Sequence, residues 1–285
     1  MRLKSLALFG LCLLLMGCGR SASFDPSSEI GVIVREEGSG TRGAFTELFH
    51  LTEKQGEKTL DTTTDLASVT NSTAVMLSTV SEDVGAIGYI SMGSLQESVK
   101  PLAIDGVAPS QETVQSGNYP VVRPFLLVAP EQVSDLALDF ESFILSDEGQ
   151  AIVKEAGYIP VPSQGVYSPS SLSGQLTISG SSSVSPVMEK LKEAYEKKVP
   201  GVHIDVQQSD SSSGISDVID GASDLAMSSR ALKGSETNAS IVSTPMAMDG
   251  IVIIVHPENP IDTLSKEQVK EIFNGKITHW SDLNS

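Results

Sequence analysis

Short β-branched runs alternate with helically spaced apolar faces along most of the chain. "IGVIVRE" (Ile30 to Glu36) has the length and composition of a strand. "GAFTELFHL" (Gly43 to Leu51) sets Phe45, Leu48, Phe49 and Leu51 on one helical face. "VGAIGYIS" (Val84 to Ser91) and "RPFLLVA" (Arg123 to Ala129) predict two more strands. "DFESFILSDEGQAIVKEAG" (Asp139 to Gly157) predicts a helix that stops at Gly157 and is interrupted near Gly149. Further on, "QLTIS" predicts a strand, and "PVMEKLKEAYEKK" (Pro186 to Lys198) a helix with Val187, Met188, Leu191, Ala194 and Tyr195 inward. "VHIDVQ", "DLAMS" and the nearly continuous apolar "DGIVIIVH" (Asp249 to His256) predict strands. "SKEQVKEIF" (Ser265 to Phe273) opens with a capping box of Ser265 and Gln268 and turns Val269, Ile272 and Phe273 inward, ahead of Trp280 as a small aromatic anchor. Strands alternating with helices predict an α/β architecture.

One segment breaks the alternation. "PVPSQGVYSPSSLSG" (Pro160 to Gly174) is dense in proline, serine and glycine, and predicts a linker between two ordered blocks. The beginning of the chain departs too. Arg2 and Lys4 precede "LALFGLCLLLMG", which is too short to span a bilayer comfortably and has the layout of a secretory signal over residues 1–17. "GRSASFDPSSE" reads as a polar tether, so residues 18–27 are expected to be a spacer.

Composition changes this picture in two ways. The 285 residues carry a formal net charge of −17, which argues against nucleic acid as a partner. Loss of Arg2 and Lys4 with the signal would take the charge two units lower, to −19. The only cysteines are Cys12, inside the signal, and Cys18, so the remaining chain has no disulfide framework and no cysteine-based metal site.

The candidate chemistry lies in four Ser/Gly/Thr-rich stretches at strand-to-helix junctions: "GSGT" (Gly38 to Thr41), "TNST" (Thr70 to Thr73), "GSSS" (Gly180 to Ser183) and "SSSG" (Ser211 to Gly214). A helix start has unpaired N–H groups and a partial positive charge, and small residues let an anion approach them. Helix capping alone explains any single stretch; several converging on one point would make an anion site with few cations. Arg35, at a strand end four residues before Ser39, can reach the same anion with its planar fork, steadied by Glu36 or Glu37, or can form a surface ion pair with them. Other chemistries fit poorly. "GSGTRG" lacks the Gly-Lys-Ser/Thr ending of a nucleotide P-loop. No Gly-x-Ser-x-Gly elbow is present. His50, His203, His256 and His279 are in no metal-ligand spacing. The expectation is therefore a binding protein, not an enzyme, with no metal and no cofactor.

Taken together, "REEGSGTRGAF", "TNSTAVMLSTVSEDVGAIGYIS", "YPVVRPFLLV", "FILSDEGQAIVKEAGYIPV", "GQLTISGSSSVSPVMEKLKEAY", "SDSSSGISDVIDG", "DLAMSSRAL" and "DGIVIIVHPENPI" with "EIFNGKITHWSDL" resemble the phosphate-binding proteins of bacterial phosphate ABC transporters. The resemblance covers nearly all of the chain beyond the tether. "LMGC" (Leu15 to Cys18) similarly resembles a bacterial lipobox, which implies cleavage before Cys18, lipidation of its sulfur with palmitate among the acyl chains, and an extracytoplasmic protein held on the cell membrane. The family implies a two-domain α/β fold of the type II periplasmic-binding-protein kind, with the ligand in a cleft between domains. It also implies capture of inorganic phosphate by hinge closure and delivery to an ABC permease, by a monomer.

Carried over by position, the family's ligand residues fall on Arg35, Ser39, Gly40, Thr41, Ser182, Ser183 and Ser211. Ser229 stands where some members place an aspartate that accepts the phosphate proton. A hydroxyl can donate or accept, so discrimination against sulfate would be less sharp; Asp210 or a glutamate could take over that role. Arg230 next to it either approaches the ligand or pairs at the cleft edge. Sulfate and arsenate remain alternative ligands, an extracytoplasmic sensor an alternative role, and phosphoester hydrolysis a remoter one. The order of blocks differs from the family: its second half comes first, which implies a circular permutation with the old ends fused through 160–174. The expected domains are then 28–122 plus 249–285, split in sequence, and a continuous 123–248. Ile30 and Ser285 are expected to be neighbours.

Overall fold

The structure is a computed structural model that describes residues 23–55 and 58–284. Eight strands make the body of one mixed sheet: β1 (Gly31–Arg35), β2 (Ser68–Thr70), β3 (Ala86–Ser91), β4 (Val122–Pro130), β5 (Gly174–Ser181), β6 (Val202–Ser209), β7 (Leu225–Ser228) and β8 (Ile241–Val255). Their order across the sheet is β6-β5-β7-β4-β8-β3-β1-β2, and the short strands Lys100–Pro101 and Ile159–Pro160 add to β8. The seven longer helices among the described residues are α1 (Gly40–Leu48), α2 (Thr73–Glu82), α3 (Asp135–Ile144), α4 (Asp147–Glu155), α5 (Ser185–Lys198), α6 (Ser211–Ile219) and α7 (Lys266–Phe273).

Two parallel sets flank an antiparallel centre. β1 pairs in parallel with β2 and β3, and β5 with β6 and β7. Between them β4 and β8 run antiparallel, with Arg123 opposite Asp249. β8 changes partner along its length: it pairs with β4 as far as Gly250 and with β3 from Ile251 onward. This second half, buried at every residue, is the continuous apolar run of the sequence, as expected of a strand covered on both faces.

The apolar core divides accordingly. One cluster joins Ile30 through Val121 to Ile251 through Trp280 and takes in Ile159; another gathers residues between Phe125 and Ala247. In the first, Phe45 stacks on Tyr89 with ring centroids 4.0 Å apart and meets Phe273 edge-on at 4.6 Å. In the second, Tyr195 contacts Phe140 and Phe143.

Three local expectations need correction. The first helix starts at Gly40 rather than Gly43, because Ser39 Oγ accepts the Arg42 N–H at 3.3 Å and caps it there; Leu51 is buried beyond its end. The interruption expected at Gly149 lies instead at Leu145–Ser146. Ser146 Oγ accepts the Gly149 N–H and opens α4, and a Cβ on Gly149 would lie 2.2 Å from the Phe143 carbonyl oxygen. The proline-rich segment is irregular over 161–173 but is no loose spacer. Asp139 Oδ2 accepts hydrogen bonds from Tyr167 Oη and Tyr195 Oη, both at 2.6 Å, and from Ser170 Oγ at 2.9 Å.

The described ends meet. Ile30 N–H donates to Thr278 O at 2.8 Å, Ser281 N–H donates to Pro26 O at 2.7 Å, and the rings of Phe24 and Trp280 are 6.0 Å apart. Ser285, the signal over 1–17 and Cys18 lie outside the described residues. Among the described residues, no helix is long and apolar enough to cross a membrane.

Candidate anion-binding site

Each parallel strand delivers polar residues at its C-terminal end, on the side where open α/β sheets bind ligands. β1 ends in Arg35, and Ser39–Thr41 follow at the start of α1. β2 ends in Thr70, and Thr73 opens α2. β5 ends in Ser181, followed by Ser182 and Ser183; Ser211 opens α6 after β6; Ser229 follows β7. The first two groups belong to one half of the sheet and the last three to the other.

The two halves touch through these residues. Arg35 Nη2 donates to Ser182 Oγ at 3.0 Å, and Arg35 Nη1 to Thr73 Oγ1 at 3.4 Å. Thr41 Oγ1 and Ser183 Oγ are 2.8 Å apart. Thr73 N–H donates to Ser182 Oγ at 3.3 Å, and Thr73 Oγ1 lies 3.3 Å from Ser183 Oγ. Ser212 N–H donates to Gly38 O at 3.2 Å. Gly40 comes so close that a Cβ would sit 2.3 Å from Ser211 Oγ and 2.6 Å from Ser229 Oγ. Seven of the eight residues singled out from the sequence therefore meet between the halves; the eighth, Ser39, is buried beside Gly40 with its Oγ engaged in capping α1. Arg35, Ser39, Thr41, Ser182, Ser183, Ser211 and Ser229 are each at most 3% exposed.

Arg35 is held from several sides. Glu36 grips it in a fork, Nε to Oε2 at 2.8 Å and Nη2 to Oε1 at 2.7 Å, whereas Glu37 is exposed. The Arg35 backbone N–H donates to Tyr89 Oη at 3.1 Å, and Arg42 Nη1 donates to the Arg35 carbonyl. Burial pushes the Tyr89 phenol well above its ordinary range, so it stays neutral as the acceptor. The guanidinium thus presents a localised positive charge among hydroxyls that can each donate or accept.

Ser229 sits in hydroxyl company. Ser181 Oγ donates to its Oγ at 2.9 Å, Ser211 Oγ lies 3.4 Å away, and the Ser229 N–H donates to Ser211 Oγ at 3.1 Å. Asp210 takes no part as an acceptor here; its carboxylate caps α6 through the N–H groups of Ser212 and Ser213. Arg230 pairs at the cleft edge, with two 2.7 Å contacts to Glu236 and one to Ser212 Oγ.

Two participants lie inside the candidate stretches but are not among the eight residues carried over as ligand residues. Thr73 belongs to a stretch that reads equally as a helix start, and only the parallel pairing of β2 beside β1 brings it to Arg35. Ser181 is the last residue of β5, where a strand reading expects a ladder position. Beside Thr73 and Ser182 a cleft of about 260 Å³ opens to solvent past Leu77, Leu95 and Pro186.

The family model of the PBP superfamily domain matches residues 22–148 and 165–285. The chain is 48% identical to phosphate-binding protein PstS 2 of Streptococcus agalactiae over 274 residues, 95% of this chain and 93% of that one. It is 42% identical to phosphate-binding protein PstS 2 of Streptococcus pneumoniae over 273 residues, 94% of each. The crystal structure of a phosphate-binding protein of a phosphate ABC transporter from Streptococcus pneumoniae superimposes with a TM-score of 0.72 and 44% identity, over 90% of this chain and 100% of that chain.

Proposed function

This chain belongs to the PBP superfamily, among its phosphate-binding proteins, and from that premise we propose that it captures inorganic phosphate by closure of two lobes and passes it to an ABC permease. The observation that carries this reading is the meeting of Arg35, fixed by Glu36, with buried hydroxyls from both halves of the sheet. A tetrahedral oxyanion would take the guanidinium, the hydroxyls and the N–H groups at the starts of α1 and α2. Contacts made from both lobes at once favour the closed form, which is how a ligand shifts an open–closed balance. No bond is made or broken, so the protein is a carrier and not an enzyme.

The lobes follow the division of the core: 28–122 with 249–285 around one cluster, and 123–248 around the other two, with β4 and β8 as the crossings. The order of blocks is a circular permutation. It is supported by the contact of Ile30 with Thr278 and by the pinned segment 161–173, which would join the former ends. The near full-length alignments with the streptococcal relatives mean that those proteins share this order. The protein works outside the cytoplasm as a monomer, held to the membrane by lipid on Cys18.

Ser229 favours a second ligand class. With a hydroxyl cluster in place of a carboxylate, fully ionised sulfate meets no fixed negative charge there. Calorimetry with phosphate against sulfate separates the two, and equal affinities would refute the phosphate reading. The first test is a thermal melt: phosphate raises the transition of the wild-type chain by binding its folded form, and Arg35→Ala loses that rise. A full phosphate shift in Arg35→Ala would overturn the site.

A further inference from the structure

One buried ion pair plays no direct part in the anion site. Arg123 on β4 and Asp249 on β8 are cross-strand partners, 2% and 0% exposed. They lie one residue from the point where β8 leaves β4 for β3. Arg123 Nε donates to Asp249 Oδ2 at 2.9 Å, and Nη2 lies 2.9 Å from the same oxygen. The outer atoms of the pair reach in opposite directions. Asp249 Oδ1 accepts from Ser91 Oγ at 2.8 Å and from the Met92 N–H at 3.1 Å, at the end of β3 in one lobe. Arg123 Nη1 donates to the carbonyl of Ser229 at 3.2 Å, in the other. Ser229 is the residue whose N–H and Oγ bond Ser211 and Ser181 in the anion site.

We propose that the Arg123–Asp249 pair is a positioning device that couples lobe closure to the anion site: it holds the Ser229 peptide in register with the Ser91–Met92 turn, so that the hydroxyl cage keeps its shape only when the lobes are closed. The inference rests on the closing-clamp reading above. An ion pair at this depth is weak as a source of stability, since an apolar pair of similar volume often serves the fold equally well. A charged pair gripping the backbone of both lobes at the pivot has a different use. Its directional bonds tie the angle between the lobes to the orientation of one pocket peptide. An apolar pair cannot supply that tie. Tyr119 Oη donates to the Ile251 carbonyl at 2.8 Å and steadies β8 just beyond the pivot.

The test replaces the pair as a unit, Arg123→Met with Asp249→Leu, and follows phosphate release by stopped flow against a phosphate scavenger. The expected result is a ligand-free melting temperature close to wild type, an unchanged on-rate and an off-rate raised about tenfold or more. An off-rate within about twofold of wild type in a folded double variant overturns the proposal, because closure then does not depend on the pair. Should the double variant not fold, Ser91→Ala decides: it removes one hydrogen bond to Asp249 without touching charge, and an unchanged off-rate overturns the coupling while a faster one supports it. Absence of phosphate binding by the wild-type chain would instead be a failure of the proposed function.

Discussion

Gly40→Ala asks whether the lobes meet as tightly as the geometry requires. The added Cβ would lie 2.3 Å from Ser211 Oγ, 2.6 Å from Ser229 Oγ and 3.0 Å from Ser211 Cβ. An ordinary non-bonded contact is about 3.5 Å, so the lobes must stand off by about 1 Å. That displacement would stretch the cross-lobe contact of Thr41 with Ser183 and the bond from Arg35 to Ser182, now 2.8 and 3.0 Å. Overpacking of this size costs about 1–3 kcal/mol, which corresponds to phosphate affinity weaker by about 5- to 150-fold. The clash is confined to the closed form, because both hydroxyls belong to the opposite lobe. The ligand-free protein should therefore melt no lower than wild type, and alanine's smaller unfolded-state entropy would raise its stability by about 0.4–1 kcal/mol. Calorimetry measures the affinity and a ligand-free melt the stability. Affinity within about twofold of wild type would refute the reasoning, since a clash of this size cannot be absorbed so cheaply.

Ser229→Asp places a carboxylate among Ser181, Ser211 and the anion. Sulfate affinity should fall by about tenfold or more relative to phosphate, read by competitive calorimetry, because only phosphate has a proton to offer it. Burial opposes ionisation of Glu236, but its bonds from Arg230 and the Lys233 N–H outweigh burial and hold the carboxyl below the usual range. A depressed folded-state value gives stability that is present above the unfolded-state value and lost as pH falls through the depressed one. Glu236→Gln should therefore lower the melting temperature by about 2 °C at neutral pH, with the difference from wild type vanishing in acid. Asp139→Asn weakens the acceptor shared by Tyr167, Tyr195 and Ser170, and cleavage within 161–173 during limited proteolysis should speed up while the rest of the chain stays resistant.

What could be read from the sequence was local. A β-branched run ending in Arg35, then a Gly/Ser/Thr turn, then apolar residues at helical spacing, specifies a strand, a cap and a helix start within one short stretch of chain. The same holds for Ser182, Ser183 and Ser211. Thr73 lies in the candidate stretch "TNST", but its contact with Arg35 was out of reach because that comes from β2 lying beside β1. Asp249 reads as the polar start of an apolar strand, yet β8 begins at Ile241; Pro245 and the exposed Val242 hide its first half from any period-two pattern. Its partner Arg123 is 126 positions away, and no spacing rule links them. Tyr167 falls inside a segment whose composition says linker. The aromatic pocket formed by Phe143 and Tyr195, with Asp139 as hydrogen-bond acceptor, gives that segment a fixed path.

The polarity of β1 has a mechanical consequence. Arg35 closes the strand at the cleft, and Gly31 opens it about 13 Å away at the usual rise per residue. There Ile30 and Phe24 are fastened to Thr278 and Trp280. Anything that restrains the segment before Phe24 thus pulls on the back of one lobe, along the strand and away from the jaws. Under the proposed lipid tether the pull would fall on that corner and not on the jaws, so tethering and ligand exchange would not compete for the same surface.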